Sequence, residues 1–576
     1  MTFSEIIKEN KILKSSLESE NLFELAILTN ITVNQLSPYL EYGLRSRFIN
    51  ADCIVGEYDN IVQDSSKYTN SKGVIIFWEA ANILDGLHYK INNFTDEDVL
   101  GLIDKVKKDI YFVLTNLAET PLIIFNLFTS RVFNYVNLNG NKFDYFCDEL
   151  NSYLKSQLDK YLNLRLVNLD NIIAELGVNG AVDFRNYYNS KSLYTTEFIR
   201  EYTNRVLNYF QALNGKSKKI LVLDCDNTLW GGILGEDGIF NLKMNSDHHK
   251  GVVFEEIQNV IRSIKNEGIL LAICSKNNFV DVENVFCQNK SMILKFDDFV
   301  NKKINWDNKV DNIKRIASEL NIGLDSFVFV DDSDFEIDSV RNLLAEVTTF
   351  QVPKLLYEFP ISFKKILNLF TFLSKSNEDL HRSEMYLVEQ SRSQDQENFT
   401  SVKEYLASLS LNLTIRINEL FLVPRVSQLT LKTNQFNLTT KRYSESDISG
   451  FIKSGTKFVL SADVEDRFGK LGLTGVCIVF IEKSQAIIDS FLLSCRILGR
   501  EIEIQFFLEV VQFLRNNGVE HIIASYSQTS KNSQVADFYN KLGFVLKEEL
   551  NHEKIYELNI KNYKIIKVNH IEVNYE

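Results

Sequence analysis

The chain of 576 residues lacks several features that would assign it quickly to a class of protein. Its seven cysteines are scattered and odd in number, without CxxC or CxxH spacing, which argues against a disulfide framework or a zinc site. Lys and Arg number 63 against 76 for Asp and Glu, so the net charge of −13 disfavours nucleic acid as a partner. No apolar run reaches the roughly 18 residues that a membrane-spanning helix needs. The N-terminus also lacks the apolar stretch of a secretory signal, so we expect a cytoplasmic protein without membrane partners.

The composition that is present fits an ordinary soluble protein, with 45% hydrophobic and 24% charged residues. A prior of about 150 residues per domain predicts about four domains. Short apolar runs alternate with amphipathic helical stretches over residues 1–215 and again over 216–375, which is typical of α/β domains. A polar, charged stretch at 376–398 resembles a linker helix. Residues 399–576 mix consecutive strands with helices, which predicts a C-terminal α+β domain.

The clearest functional signal lies in the stretch LVLDCDNTLWGG (221–232). Asp224 ends an apolar strand, and Asp226 and Thr228 follow at intervals of two residues. A nucleophilic carboxylate is suited to such a strand tip, where the site of a doubly wound sheet opens. A second carboxylate on the same face can protonate a leaving group and later activate water. We therefore predict Asp224 as a nucleophile and Asp226 as its acid/base partner.

Three further polar groups follow in the order that phosphoryl transfer requires. Ser275 ends the next apolar strand, so its hydroxyl can hold a phosphoryl oxygen, and Lys309 begins a helix and supplies a cation. Asp331 and Asp332 end a third strand, where hard carboxylates can hold Mg²⁺. Phosphoryl transfer needs mainly positioning and charge neutralisation, and these groups offer both. The predicted phosphate-binding residues are Thr228, Ser275, Lys276 and Lys309, and the predicted Mg²⁺ ligands are Asp224, Asp226, Asp331 and Asp332.

These four motifs are those of the haloacid dehalogenase (HAD) superfamily, which the chain resembles over about residues 217–350. The resemblance implies a central Rossmann-like, doubly wound parallel sheet. The 34-residue step from Ser275 to Lys309 leaves no space for a large cap domain, so we predict a nearly capless core. An open site suits a bulky substrate, or one shielded by the neighbouring domains.

Longer motifs narrow the resemblance to the FkbH-like proteins, the bacterial glyceryl-loading phosphatases of polyketide pathways. In the HAD-like region they are NTLWGGILGEDG (227–238), ICSKNN (273–278) and INWDNK (304–309). In the C-terminal region they are RVSQLTLKTNQFNLTTKRY (425–443), DRFGKLGLTGV (466–476), DSFLLSCRILGREIE (489–503) and SKNSQVADFYNKLGF (530–544). One departure is that Ser333 and Asp334 stand where the family commonly continues its fourth motif with Asn-Pro. This departure bears on the shape of that loop and on substrate choice.

The resemblance implies a particular enzyme, although two other functions stay open. The implied enzyme is Mg²⁺-dependent, takes 1,3-bisphosphoglycerate, removes phosphate, and delivers a glyceryl group as a thioester to the phosphopantetheine arm of an acyl carrier protein. One alternative is a stand-alone phosphatase acting on a small phosphorylated metabolite, which would turn over generic phosphate esters without a carrier protein. The other is a non-catalytic assembly subunit, which loss of Mg²⁺-dependent phosphate release would indicate.

The C-terminal region has the strand–turn–helix order of a GNAT acyltransferase and ends in the signature FYNKLGF (538–544). A working acetyl-CoA site binds pyrophosphate on the backbone N–H groups of a glycine-rich turn at a helix N-terminus. The corresponding turn here, CRILGREIE (495–503), has a single glycine, Gly499. We therefore predict a groove for a pantetheine arm, with Arg496 and Arg500 holding a phosphate, and not an acetyl-CoA enzyme.

Acyl transfer from an acyl phosphate can pass through an enzyme thioester, which needs an activated cysteine. Cys495 is the first candidate because Arg496 and Arg500 would favour its thiolate. Cys274 is the second candidate, although strand alternation should turn its side chain away from Ser275. For each cysteine the alternative is a small buried hydrophobic residue.

The N-terminal domain resembles the same family's SGNH-hydrolase-like region through ILTNITVNQLSPYLEYGLR (27–45). A hydrolase would need a Ser, an Asp and a His in this domain. Its only histidine is His88, and Thr29 and Asn30 stand where a nucleophile is expected. We therefore predict a non-catalytic domain with a packing or docking role.

Docking of a carrier protein raises a problem of charge. Carrier proteins are usually acidic, and this chain is acidic too, so docking requires a local basic patch. The candidate residues for such a patch are Lys441, Arg442, Arg496 and Arg500.

Overall fold

Three β-sheets organise the residues that the structure, a computed structural model, describes. These are all residues except 1, 19–21, 134–140, 372, 374–385, 387, 389–391, 393–394, 396–397, 400, 495–496, 530, 551–552 and 566–567. Most of the predicted linker at 376–398 lies outside the described residues. The described chain divides into two units, one formed by residues 1–214 with 443–447 and the other by residues 215–442 with 448–576.

The first unit contains a five-stranded parallel sheet in the order β2-β1-β3-β4-β5. Apolar runs become its inner strands because helices cover both faces of a parallel sheet, and every residue of β3 is buried. The strands are β1 (Phe23–Thr29), β2 (Ala51–Val55), β3 (Gly73–Phe77), β4 (Ile123–Asn126) and β5 (Leu164–Val167). The α-helices are Phe3–Ser16, Leu36–Arg45, Ile61–Asp64, Leu87–Lys90, Asp96–Asn116, Lys142–Ser156, Leu169–Leu176, Val178–Ala181, Phe184–Ser190 and Thr196–Leu213.

The second sheet is also five-stranded and parallel, in the order β10-β9-β6-β7-β8. Its central strand alternates between two apolar clusters: Leu221 and Leu223 pack on one face, and Ile220 and Val222 on the other. The strands are β6 (Ile220–Leu223), β7 (Leu270–Ser275), β8 (Phe299–Ile304), β9 (Phe327–Asp331) and β10 (Thr348–Gln351). The α-helices are Leu234–Asp237, Gly251–Asn266, Phe279–Gln288, Lys309–Leu320, Asp334–Leu343 and Phe359–Leu367.

The carboxyl edge of this second sheet carries little additional structure. All of residues 226–309 are described. Between β6 and β7 they form the short helix Leu234–Asp237, an isolated bridge between Gly231 and Lys243, and the helix Gly251–Asn266. Between β7 and Lys309 they form one helix and β8. No cap domain is inserted within this fully described stretch, as the motif spacing predicts.

The third sheet is mixed and follows the order β17-β18-β16-β15-β14-β13-β11-β19, with β12 paired to β15. β15 and β16 run parallel only from Gln485 to Ile488 of β15, and the end of β15 pairs with β12 instead, so β15 and β16 diverge. The strands are β11 (Leu411–Ile417), β12 (Phe436–Asn437), β13 (Lys457–Asp466), β14 (Gly469–Glu482), β15 (Gln485–Leu493), β16 (His521–Ser527), β17 (Val545–Leu550), β18 (Glu553–Asn559) and β19 (Ile571–Tyr575). The α-helices are Val402–Ser408, Val423–Lys432, Glu445–Lys453, Ile502–Asn516 and Phe538–Lys541.

The predicted fold class is confirmed: two parallel α/β sheets precede a mixed α+β sheet. The sheets fall within residues 23–167, 220–351 and 411–575, and the domain boundaries at 215, 375 and 398 stay a prediction. Among the helices of the described residues, none has the length and apolar character that a membrane crossing requires.

Candidate active site at the edge of the central parallel sheet

The site forms where three neighbouring strands of the second sheet end. Asp224 directly follows β6, and its backbone N–H donates to the carbonyl of Val330 in β9 over 3.0 Å. Ser275 ends β7 on one side of β6, and Asp331 ends β9 on the other. All three of these polar side chains are buried. The parallel topology therefore brings together the strand-end residues that the sequence predicts for the site.

Lys309 lies between two of the carboxylates. Its Nζ is 2.9 Å from Oδ1 of Asp224 and 2.6 Å from Oδ2 of Asp331, and all three side chains are almost fully buried. Burial opposes the ammonium charge, but the two carboxylates outweigh burial and raise the pKa of Lys309 above its ordinary value. Asn308 caps the helix that Lys309 begins, accepting a hydrogen bond from the backbone N–H of Val310 over 2.8 Å. The cap helps to fix where the cation stands.

The carboxylates of Asp224, Asp331 and Asp332 form a cluster whose oxygens lie within 4.8 Å of one another. Among the described residues of this cluster and its lysine, three carboxylates face one ammonium, a formal charge of −2. Burial, followed by the charge of Asp224, raises the pKa of Asp331 to about 7 and also raises the pKa of Asp332. An all-oxygen donor set with surplus negative charge fits a hard divalent cation such as Mg²⁺.

Asp226 lies outside this cluster of three carboxylates, and its role as a metal ligand stays a prediction. Its Oδ1 accepts hydrogen bonds from Nε1 of Trp230 over 2.9 Å and from the backbone N–H of Leu234 over 3.0 Å. Its Oδ2 accepts from Nδ2 of Asn277 over 3.0 Å. Both oxygens therefore point into a separate set of N–H groups, which leaves Asp226 available as an acid/base group.

The predicted phosphate-binding residues have different surroundings. The Ser275 hydroxyl is buried and accepts from Nδ2 of Asn277 over 3.2 Å. The Thr228 hydroxyl is also buried, and no described residue offers it a hydrogen-bond partner. Lys276 instead donates to Oε1 of the buried Glu336 over 2.6 Å. Ser275 and Thr228 therefore keep the potential to bind an anion, whereas the charge of Lys276 is already paired.

Several residues of the site were missed by motif reasoning, although they lie inside the quoted motifs. Trp230 and Asn277 hold Asp226, as described above. Asn227 has a left-handed backbone with φ of 52°, and its Oδ1 accepts a hydrogen bond from the backbone N–H of Gly232 over 3.1 Å. The sequence indicated these residues only as members of the motifs NTLW and SKNN. Membership of a motif does not show which group the amide or indole side chain contacts.

Ser333 explains how the loop tolerates the absence of Asn-Pro after Asp332. The backbone N–H of Ser333 donates to Oδ1 of Asp331 over 2.9 Å. Its hydroxyl caps the helix Asp334–Leu343 by accepting from the N–H of Glu336 over 3.4 Å. Asp334 lies in an exposed ion pair with Lys354 at 3.4 Å. A serine cap therefore orders this loop.

Of the two cysteines predicted as candidate nucleophiles, the structure describes one, Cys274. Cys274 is fully buried, its Sγ lies 3.8 Å from the carbonyl of Lys309, and burial raises the pKa of its thiol. The geometry does not support Cys274 as a reactive thiol, because strand alternation turns it into the core. Cys225 is likewise fully buried with a raised thiol pKa. Cys495, the first candidate, lies outside the described residues.

The predicted basic groups of the C-terminal domain are engaged elsewhere. Arg500 is buried, with Nη1 3.6 Å from Oδ2 of Asp466, so the structure does not support it as an exposed phosphate ligand. Arg442 donates to the carbonyl of Thr433 over 2.8 Å at the end of a helix, and burial lowers the pKa of its guanidinium to about 10. Lys441 pairs with Asp489 over 2.6 Å. Arg496 lies outside the described residues, and the basic patch for a carrier protein stays a prediction.

Comparisons with known proteins address the architecture. No protein-family model matches the chain, and no curated protein sequence matches it either. Among solved structures, the N-terminal part of the protein BF1531 from Bacteroides fragilis, described as containing a phosphatase domain complexed with Mg, is 28% identical with a TM-score of 0.59. That match covers 65% of this chain and 100% of that chain. The cofactor predicted for this chain is thus the ion described in that structure.

Acetyltransferases also match, over a smaller part of the chain. The ribosomal-protein-S18-alanine N-acetyltransferase from Escherichia coli is 13% identical, covers 26% of this chain and 94% of its own, and has a TM-score of 0.22. A mutant spermidine N-acetyltransferase from Vibrio cholerae is 15% identical, covers 26% of this chain and 95% of its own, and has the same TM-score of 0.22. The C-terminal domain is described by its own mixed-sheet topology. The order of two parallel sheets and one mixed sheet resembles the domain order expected of FkbH-like enzymes.

Proposed function

We propose that the chain is a Mg²⁺-dependent phosphoryl-transfer enzyme that loads a glyceryl group from 1,3-bisphosphoglycerate onto an acyl carrier protein in polyketide-type biosynthesis. The observation that carries the proposal is the placement of Asp224. It lies at the tip of the central strand, 2.9 Å from Lys309, and shares a carboxylate cluster with Asp331 and Asp332. Mg²⁺ held by these three carboxylates would neutralise charge on the transferring group.

The phosphoryl half of the reaction uses the protein's own groups. A carboxylate oxygen of Asp224 attacks phosphorus and forms an aspartyl phosphate, while the bond from phosphorus to the leaving oxygen breaks. Asp226 gives a proton to that oxygen and later takes one from the water that hydrolyses the aspartyl phosphate. Lys309, Ser275 and Thr228 stabilise the negative oxygens of the transferring group. The products of this half are the free hydroxyl and inorganic phosphate.

The acyl half uses the second phosphate of the same substrate. The acyl phosphate of 1,3-bisphosphoglycerate is an activated carboxyl group. The thiolate of a phosphopantetheine arm attacks its carbonyl carbon, the bond from carbon to the phosphate oxygen breaks, and inorganic phosphate leaves. If an enzyme thioester intervenes, Cys495 is our proposed nucleophile, because Cys225 and Cys274 are buried with raised thiol pKa values.

A second candidate function is a stand-alone phosphatase for a small phosphorylated metabolite. It is favoured by the contrast between an intact carboxylate–lysine site and the buried thiols beside that site. This function needs Asp224 and Asp226 but neither a carrier protein nor a cysteine. The experiment below separates it from glyceryl loading.

The test is intact-mass spectrometry of the enzyme incubated with Mg²⁺, 1,3-bisphosphoglycerate and a phosphopantetheinylated carrier protein. We expect a glyceryl mass on the carrier with the wild type, and with Asp224→Asn either no added mass or a mass that keeps its phosphate. Asp311→Asn is the matched control, because Asp311 is exposed on the helix that Lys309 begins. Free phosphate with an unmodified carrier would contradict glyceryl loading and leave the phosphatase. No phosphate release at all would contradict both functions.

A further inference from the structure

Three N–H groups donate hydrogen bonds to the carboxylate of Asp226, and the strand-end motif around Asp224 and Asp226 does not by itself predict them. Within the described part of the chain, three N–H groups donate to it: Nε1 of Trp230 and the backbone N–H of Leu234 to Oδ1, and Nδ2 of Asn277 to Oδ2. The distances are 2.9, 3.0 and 3.0 Å. Hydrogen bonds from neutral donors to an ionised carboxylate are among the stronger ones in proteins. The carboxylate therefore has a defined orientation.

The indole of Trp230 is enclosed on all sides by the protein. Its side chain is fully buried, and its ring packs edge-on against Phe286 with centroids 6.2 Å apart. A buried indole N–H needs an acceptor, and Asp226 is the acceptor here. The backbone of Trp230 also forms an isolated bridge with that of Asp226, so the two residues are tied at both ends.

Asn277 connects the acid/base carboxylate with the phosphate side of the site. Its Nδ2 lies 3.0 Å from Oδ2 of Asp226 and 3.2 Å from the hydroxyl oxygen of Ser275. Asn277 is itself buried. One amide group therefore sets the spacing between the predicted proton donor and the predicted phosphate-binding hydroxyl.

We propose that Trp230 and Asn277 are positioning residues for proton transfer: together they turn Asp226 away from the carboxylate cluster and hold it toward the leaving oxygen. This inference rests on the proposed phosphoryl transfer. Asp226 lies only two residues from Asp224. Without these donors its carboxylate could turn toward the Mg²⁺ that the carboxylate cluster would hold. A carboxylate bound there would no longer serve as the acid for the leaving group.

The proposal predicts a dependence on the leaving group. The reaction of a phenyl or alkyl phosphate requires a proton on the departing oxygen, whereas 4-nitrophenolate departs as a stable anion. Loss of positioning should therefore slow the first substrate much more than the second. A loss of phosphate binding or of packing would slow both substrates equally.

The experiment compares Trp230→Phe with the matched control Trp306→Phe. Phe keeps the aromatic packing of Trp230 but removes the N–H, while the exposed Trp306 donates to Asn278 over 3.1 Å and not to Asp226. We expect kcat/KM of Trp230→Phe to fall about tenfold or more for phenyl phosphate, and less than about threefold for 4-nitrophenyl phosphate. We expect Trp306→Phe to change neither value by more than about twofold.

Asn277→Asp gives a second test, with Asn278→Asp as its neighbour control. Aspartate has nearly the same shape as asparagine but offers Asp226 an acceptor and a negative charge in place of a donor. We expect the same selective loss for phenyl phosphate, larger than in Trp230→Phe. Equal losses on both substrates, or no loss in either variant while the wild type is active, would overturn the positioning role alone. A wild type that releases no phosphate from either ester would overturn the proposed function as well.

The contact between Trp230 and Asp226 can also be tested by a measurement that does not depend on catalysis. The chain has three tryptophans, so 5-fluorotryptophan labelling gives three fluorine NMR signals, and Trp230→Phe identifies the one from Trp230. We expect Asp226→Asn to shift the Trp230 signal and to leave the signal of Trp306 in place. An unchanged Trp230 signal would show that the indole does not bind Asp226 and would overturn the proposal.

Discussion

Two five-stranded parallel sheets in this chain end in buried carboxylates, and the surroundings of Glu79 in the first sheet differ from those of Asp224 in the second. At the edge of the second sheet, Asp224, Asp331 and Asp332 surround Lys309. At the edge of the first sheet, Glu79 is buried after β3. The same topology therefore brings polar groups to the same place in both sheets, with different consequences for charge.

The carboxyl group at the first edge is surrounded by neutral partners. Glu79 accepts from the hydroxyl of Tyr194 over 2.7 Å and from the N–H of Ala81 over 3.2 Å. The amide of Asn30 bonds the backbone of Glu79 in both directions, at 2.9 and 2.7 Å. Burial raises the pKa of Glu79 to about 7. Asn30, predicted with Thr29 not to form a catalytic set, lies in this network, whereas the hydroxyl of Thr29 is hydrogen-bonded to the backbone of Ile31.

The comparison shows that the topology of a parallel sheet determines where polar side chains gather. The number of charged groups that gather there determines whether they can bind a cation and a phosphoryl group. Three carboxylates with one ammonium attract a divalent cation, and that cation together with the ammonium would then attract an anionic phosphoryl group. One carboxylate among neutral donors can become neutral by taking up a proton. Breaking the charge balance at each edge should therefore give effects of different size and different dependence on Mg²⁺ and pH.

The largest effect is expected from Lys309→Met, which removes the cation between Asp224 and Asp331. Uncompensated buried carboxylates should lower the free energy of unfolding by about 3–5 kcal/mol when Mg²⁺ is chelated. Added Mg²⁺ should restore part of this stability, because it neutralises the same carboxylates. Phosphate release should fall by about 10²-fold or more, since a group that stabilises the transferring charge is gone. Chemical denaturation with and without Mg²⁺ and a phosphate-release assay measure these outcomes.

Lys265→Met is the matched control for Lys309→Met. Lys265 lies in the helix Gly251–Asn266, which precedes β7, and it forms an ion pair with Asp298 over 2.7 Å. Its loss should be smaller and independent of Mg²⁺. If Lys309→Met were as stable as the wild type in chelator, the charge-balance account of the second edge would be wrong.

A smaller effect, of about 3 kcal/mol at most, is expected at the first edge and depends on pH. Because the pKa of Glu79 is raised from 4.5 to about 7, its contribution to stability is fully present below about 4.5 and is lost as pH rises through 7. Hydrogen exchange of a peptide spanning residues 73–82 should therefore show easier opening at pH 8 than at pH 5, after correction for intrinsic rates. Glu79→Gln should remove this difference.

The exposed Glu97 provides the control for the Glu79 experiment. Glu97→Gln should leave the pH dependence of the same peptide unchanged, and neither substitution should alter Mg²⁺-dependent phosphate release. A wild-type peptide whose opening free energy is equal at the two pH values would contradict burial of a protonated Glu79.

The smallest effect is expected from Ser333→Ala, which removes the cap of the helix after Asp332. Loss of an N-cap hydroxyl costs about 1 kcal/mol of stability, while the backbone N–H that binds Asp331 is retained. Denaturation should show this loss, and phosphate release should change by less than about twofold. Ser333→Thr, which keeps a capping hydroxyl, should recover most of the stability. If Ser333→Ala abolished phosphate release, the loop would have a role beyond capping.

Much of the fold could be predicted because the signals are local. The apolar runs before Asp224, Ser275 and Asp331 became β6, β7 and β9. The amphipathic helical pattern expected within residues 216–375 is seen, for example, in the helices Gly251–Asn266 and Lys309–Leu320. Strands with weaker apolar patterns, such as β8 and β10, were not predicted, because their places depend on pairing with β7 and β9. Sheet order is a property of the whole domain and leaves no mark in a single segment.

The sequence by itself determined which residues stand at strand tips and helix starts, because strand periodicity and helix capping depend on near neighbours. It thereby indicated Asp224, Ser275, Lys309 and Asp331, and the architecture to which they belong. Only the tertiary structure decided where each side chain points. Asn277, 51 residues from Asp226, donates a hydrogen bond to that carboxylate.

The same limit explains two of the groups whose predicted roles the structure does not support. Arg500 is buried beside Asp466, and Cys274 is turned into the core behind Lys309. Burial and charge pairing arise from contacts between segments distant in the chain, and no local pattern encodes them. The physical reason is that solvation and pairing free energies depend on every group that surrounds a side chain, and these groups come together only when the chain folds.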